Sequence, residues 1–113
     1  MTLQASCHCG AIRFSVETAP AELNNCQCSI CRRYGALWAY YRPREVRLEA
    51  DNGPTEVYIW GDRELEFHRC RTCGCVTHWS AVDPTYDRMG VNGRLMAPEV
   101  VAAAHQYKST GPG

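Results

Sequence analysis

Hydrophobic and polar residues alternate with a period of two through most of the chain. Ile12, Phe14 and Val16 are separated by Arg13, Ser15 and Glu17, the pattern of a strand with one buried face. Val46 and Leu48 alternate in the same way with Glu45, Arg47 and Glu49, and Leu65 and Phe67 with Glu64, Glu66 and His68. On that alternation His68 faces outward with the two glutamates. Val57 and Ile59 lie just upstream, and Trp60-Gly61-Asp62-Arg63 between these stretches predicts a hairpin with a Gly-led turn. Gly35 to Tyr41 reads as a strand with aromatics on both faces, and Tyr86 to Val91 as a less regular one. Pro43, Asp51-Asn52-Gly53-Pro54 and Asp83-Pro84 punctuate the pattern. One helix is predicted, Pro98 to His105, where a first-turn Pro precedes an Ala/Val run. The expectation is an all-β fold of antiparallel sheets with at most one short C-terminal helix. Residues 1–107 would form one domain, and 108–113, polar and rich in Gly and Pro, a flexible tail.

Length and charge narrow the classes. A chain of 113 residues suits a single core. Twelve basic and twelve acidic residues give no electrostatic case for a nucleic-acid partner or an anionic membrane surface. Gly35 to Tyr41, the longest mostly apolar run, is too short to span a bilayer. The N-terminus, Met-Thr-Leu-Gln-Ala-Ser-Cys, lacks a basic start and an apolar stretch, so a cytoplasmic location is expected. Eleven of the twelve basic residues are Arg, which suits carboxylate recognition better than Lys does.

Eight cysteines then dominate the picture. In a reducing compartment such density implies metal binding rather than disulfides. They fall into Cys7-His8-Cys9-Gly10, Cys26-Gln27-Cys28-Ser29-Ile30-Cys31 and Cys70-Arg71-Thr72-Cys73-Gly74, with Cys75 beyond. The last group has the form of a zinc knuckle: two thiolates grip one ion while the Gly lets backbone N–H groups curl toward the sulfurs. A tetrahedral ion needs four ligands, and Cys7 with Cys9, also followed by Gly, is the natural mate of Cys70 with Cys73. Cys26, Cys28 and Cys31 remain. Three thiolates leave a fourth position for water or substrate, the mark of a working site. Zinc with three thiolates carries −1, which makes it a modest Lewis acid for water but well suited to holding an incoming thiol as thiolate. Arg32, Arg33, Arg69 and Arg71 flank the clusters and can offset their charge, and Arg32 or Arg33 can also meet a substrate carboxylate.

Cys-x-Cys-Gly before a strand, then Cys-x-Cys-x-x-Cys, then Cys-x-x-Cys-Gly resembles the glutathione-dependent formaldehyde-activating enzyme family, also called S-(hydroxymethyl)glutathione synthase, to which centromere protein V belongs. The likeness runs from Cys7 to about Trp79, with Gly90-Val91-Asn92 similar to a further element. The resemblance implies a zinc-pinned set of β-sheets with two zinc ions per chain. It assigns Cys7, Cys9, Cys70 and Cys73 to a structural zinc, and Cys26, Cys28 and Cys31 to a second, catalytic one. It also implies a carbon–sulfur lyase that joins glutathione and formaldehyde.

Other residues carry competing readings. Cys75 is either a small buried thiol or a fourth ligand that closes the three-Cys site. His8 is expected to face solvent. His78 is either a polar surface residue or a ligand or proton shuttle at the second site. Trp38, Tyr40 and Tyr41 follow the Cys26–Cys31 cluster closely and belong to the core, or one of them walls a substrate pocket. At the level of function, the rivals to a lyase are a non-enzymatic zinc module for a protein partner and a redox or metal-buffer role for the three-Cys group.

Overall fold

The computed structural model describes residues 2–110. Ten strands and two short α-helices follow in the order β1 (Leu3–Ser6), β2 (Ile12–Val16), β3 (Glu22–Cys26), α1 (Ser29–Tyr34), β4 (Trp38–Tyr41), β5 (Val46–Ala50), β6 (Glu56–Tyr58), β7 (Leu65–Arg69), β8 (Val76–Ala81), β9 (Met89–Asn92), α2 (Pro98–Ala103) and β10 (His105–Ser109). The fold is mostly β, as the alternation requires. Strands β1, β2 and β5 form a three-stranded sheet, and the others a seven-stranded sheet in the order β10-β3-β4-β9-β8-β7-β6.

The strand read over Gly35 to Tyr41 begins only at Trp38, and the helix read over Pro98 to His105 ends at Ala103, with His105 opening β10. Three larger features also differ from the sequence reading. Helix α1 was not foreseen: it covers only six residues, too few for an apolar period to register. Its C-terminal end is nonetheless signalled, by Arg32 and Arg33 in the last turn and by Gly35, whose φ of 68° makes the left-handed C-cap. One strand pair is parallel, not antiparallel, because α2 carries the chain back so that β10 enters beside β3 in the same direction. That strand takes in Lys108 and Ser109, paired with Asn25 and Cys26, so the first two residues of the expected tail belong to a sheet. Residues 111–113 lie outside the described residues.

Alternation on the central strands separates two packed layers. Ala39, Met89 and Val91 point toward the small sheet and meet Ala5, Phe14 and Val16. Trp38, Phe67 and Trp79 point the other way and pack with Cys26, Cys28, Cys31 and Ala36. The second layer holds the site. Gly90, paired with Trp79, is required there, because a Cβ at this position would overlap the Trp79 indole.

Candidate metal and substrate site

Two turns of similar build bring the first four cysteines together. Gly10 donates to the Cys7 carbonyl (3.1 Å) and Gly74 to the Cys70 carbonyl (3.0 Å), with φ of 83° and 80° at the two glycines. Each turn therefore needs a residue without a Cβ. The sulfurs of Cys7, Cys9, Cys70 and Cys73 all lie within 4.8 Å of one another, with Cys7–Cys9 and Cys9–Cys70 both at 3.6 Å. A tetrahedral ion with sulfur at about 2.3 Å sets its ligands about 3.8 Å apart, so the donor set fits zinc. N–H groups face the sulfurs as well: Ile12 N to Cys7 at 3.4 Å, and Thr72 N and Asn52 Nδ2 to Cys70, both at 3.4 Å. The backbone N–H of Cys75, above all, holds the Cys73 thiol down to about 5, and that of Cys73 holds Cys70 down to about 7. Cys9 is pushed the other way, to about 11: although the N–H of Ala11 lowers it, burial and the crowding of Cys70, Cys7 and Cys73 prevail. Sulfurs at these separations ionise together only when a cation offsets their mutual repulsion.

Cys26, Cys28 and Cys31 are all buried, and their sulfurs likewise lie within 4.8 Å of one another. Cys26 ends β3, Cys28 is the N-cap of α1, and Cys31 is in its first turn. The helix thus sets the Cys-x-Cys-x-x-Cys spacing on one side of the layer. Cys28 Sγ accepts from the Cys31 N–H at 3.4 Å, and Cys31 Sγ from Trp38 Nε1 at 3.2 Å. Burial raises the Cys28 thiol, but hydrogen bonds from the Cys31 thiol and N–H outweigh it and leave the pKa below its ordinary value. Cys31 is raised, first by its own burial and then by Cys28.

The three sulfurs form one wall of a cavity of about 230 Å³. Trp38, Tyr40, Trp60, Phe67 and Trp79 supply aromatic walls, and Asn24, Asp62 and Ser109 the polar groups. The polar groups form a chain: Ser109 Oγ donates to Asn24 Oδ1 (3.1 Å), and Asn24 Nδ2 donates to the Tyr40 hydroxyl (2.6 Å). The Tyr40 hydroxyl is an acceptor in that bond, which leaves its own proton for another partner. Arg88 sits over the Tyr40 ring at 4.2 Å, and burial raises the phenol pKa, so the hydroxyl is neutral at pH 7.

The predicted residues sort accordingly. Both cysteine groups assemble as sets that could hold a metal ion. Cys75 packs beside Cys7 and Cys70, away from the three-Cys set. Neither reading of His78 holds. It is 5% exposed and stacks on His68 (4.1 Å, 10° between planes), on the strand face opposite Trp79. His68, expected to face outward, is half-buried, with Thr55 and Ser80 at 2.7 Å on its two ring nitrogens. The cause is a cross-strand pairing that places it opposite His78. Trp38 and Tyr40 wall the cavity, whereas Tyr41 joins the other layer and donates to the Thr18 carbonyl at 2.7 Å. Arg32 and Arg33 are exposed on α1, where Arg33 caps back onto Ser29 at 2.8 Å, and neither lines the cavity. Sequence reasoning missed Asn24, Asn52, Trp60 and Trp79. Trp60 and Asn52 left a trace only as members of predicted turns, and Trp79 only as the end of the family likeness.

The fold and its sulfurs define a two-sheet β protein with two cysteine clusters of metal-ligand geometry, one at a pair of surface turns and one facing an aromatic cavity. Comparison with known proteins agrees. Residues 2–109 match the family described as glutathione-dependent formaldehyde-activating enzyme, and the chain belongs to that family. A stretch of 34 residues is 56% identical to a putative glutathione-dependent formaldehyde-activating enzyme of Halomonas elongata; the match spans 29% of this chain and 22% of that protein. A crystal structure of a Rhodobacter sphaeroides protein, solved as a structural-genomics target, is 30% identical with a TM-score of 0.75. That comparison covers 93% of this chain and all of the other.

Proposed function

We propose that the chain binds zinc at both clusters and acts as a carbon–sulfur lyase on the adduct of a thiol with a small aldehyde. The four-sulfur site is structural, and Cys26, Cys28 and Cys31 form the working site. The observation that carries this reading is a three-sulfur cluster, one ligand short of a tetrahedral set, that opens into an aromatic cavity. The family's name supplies glutathione and formaldehyde as the reference pair. Cysteines grouped as metal-ligand sets rather than as disulfide pairs favour a reducing, cytoplasmic location.

Zinc bound by the three thiolates would supply coordination that lowers the pKa of an incoming thiol. The protein's part is to hold the aldehyde against the aromatic walls with its oxygen toward Tyr40. As the S–C bond forms and the C=O π pair moves to oxygen, the Tyr40 hydroxyl donates a proton to that oxygen. The proton released by the thiol restores the phenol, so the sum is thiol plus aldehyde giving hemithioacetal. The lyase direction is the reverse. Water is held off by the Trp60 and Phe67 walls.

Exchange NMR on a thiol–formaldehyde mixture tests this reading by the rate of adduct formation and breakdown. The protein is expected to accelerate exchange, and Cys28→Ser to abolish the acceleration while the circular dichroism spectrum is retained. Undiminished acceleration by Cys28→Ser would sink the role of the three-Cys site.

A further inference from the structure

The cavity wall beside the three sulfurs shows a charge pattern that bears on which thiol it admits. Among its lining residues there is no Arg, Lys or His, and the one carboxylate is that of Asp62, exposed at the rim, where its Oδ1 accepts from the Glu64 N–H. The rest of the wall is aromatic or aliphatic, apart from Asn24 and Ser109, which are bonded to each other. Glutathione brings two carboxylates and an ammonium along with its thiol. A carboxylate set against such an apolar wall needs a cation or several N–H donors, and the lining supplies no cation. Volume argues in the same direction, since about 230 Å³ falls below the roughly 300–1,000 Å³ of pockets that enclose drug-sized ligands.

A larger groove adjoins the cavity across Tyr40, Asp62, Leu65 and Trp79, and it contains Arg63 and Arg88. These cations do not make it an anion site. Asp62, Glu64 and Asp83 line the same groove, three acids against two bases, and the Arg88 guanidinium already lies over the Tyr40 ring. A tripeptide that reached out of the cavity would therefore set its carboxylates against a surface with a net negative charge.

The geometry points to a small thiol with an apolar, uncharged body as the substrate class of this site, in place of glutathione. The proposal rests on the thiol–aldehyde reading above and narrows its thiol. The sulfur would reach toward Cys26, Cys28 and Cys31 while an aromatic or aliphatic body lies between Trp38, Trp60 and Phe67. Flat rings offset or tilted against such walls gain contact beyond simple burial.

Cobalt-substituted holoprotein supplies the test, with benzyl mercaptan and glutathione as probes. Two signals are read together: the sulfur-to-cobalt charge-transfer band and tryptophan fluorescence. Benzyl mercaptan is expected to change both, at a concentration at least tenfold below that of glutathione. Trp60→Ala, at the half-buried edge of the cavity, should weaken benzyl mercaptan several-fold without moving glutathione, and Asp62→Asn should strengthen glutathione alone. Glutathione binding as tightly as benzyl mercaptan would overturn the proposal while leaving the thiol–aldehyde reading intact. If neither thiol alters the charge-transfer band, the thiol–aldehyde reading itself fails, and this proposal with it.

Discussion

Loss of the four-sulfur site should cost far more stability than loss of the three-sulfur site, by an amount that follows from chain topology. The Cys9 and Cys70 sulfurs meet across 61 positions of sequence, tying the turn before β2 to the turn between β7 and β8. For a cross-link closing a loop of about 60 residues, the chain-entropy relation gives about 4 kcal/mol. Cys26 and Cys31 close a loop of about six residues, for which the same relation gives about 2 kcal/mol. A protein of this size gains or loses about 4 °C in Tm per kcal/mol. Cys73→Ser should therefore lower Tm by about 16 °C, and Cys28→Ser by no more than about half of that. Differential scanning calorimetry of both variants, with metal content measured in parallel, makes the comparison. A fall of less than about 5 °C for Cys73→Ser, or a larger fall for Cys28→Ser, would refute the assignment of the first cluster as the fold's clip.

Burial, reinforced by His68, holds His78 down to about 3. A free His titrates near 6.5, so the unfolded chain takes up the proton first, and stability is lost as pH falls from about 6.5 toward 3. The loss at pH 5 is about 2 kcal/mol, read as a lower urea midpoint than at pH 7, and His78→Gln should remove that part of the slope. Gly90→Ala forces the Trp79 indole to move and should cost about 1–3 kcal/mol in urea unfolding. Tyr40→Phe should slow adduct exchange by about a hundredfold at unchanged metal content. An unaltered rate would show that the hydroxyl is not the proton donor.

Much of the fold was legible because strands with one buried face record their burial in the sequence. Ile12, Phe14 and Val16 are buried as the alternation requires, and the hairpin at Trp60–Arg63 joins β6 to β7. The spacing of the cysteines grouped them as the structure does, since a knuckle turn is a local object that a Gly completes. What escaped depends on pairing between distant strands. His68 lies on the face that alternation gave it, but that face is covered, because His78 arrives opposite it and Thr55 and Ser80 close on its nitrogens. Nothing within residues 64–68 encodes that neighbour. Asn24 gave no local signal either, since its partners are 16 and 85 positions away.

The same sparing use of local signals explains how one kind of ligand makes two unlike sites. Cys7, Cys9, Cys70 and Cys73 come from two Gly-terminated turns that face each other, so each turn supplies the other's missing ligands and the set closes on itself. Cys26, Cys28 and Cys31 come from a single strand-to-helix junction, and what faces them is Phe67 and Trp79 from β7 and β8. Those strands present side chains alternately, which places Trp79 at the cavity and His78 behind it. A one-residue slip in the β8 register would exchange them and bring an imidazole to the three sulfurs, filling the fourth position with a protein ligand. Gly90, by leaving room for the Trp79 indole, helps to hold the register that keeps His78 away from the three sulfurs. The chemistry available to the second cluster is therefore decided less by its own three cysteines than by the alternation of a strand some fifty residues away in sequence.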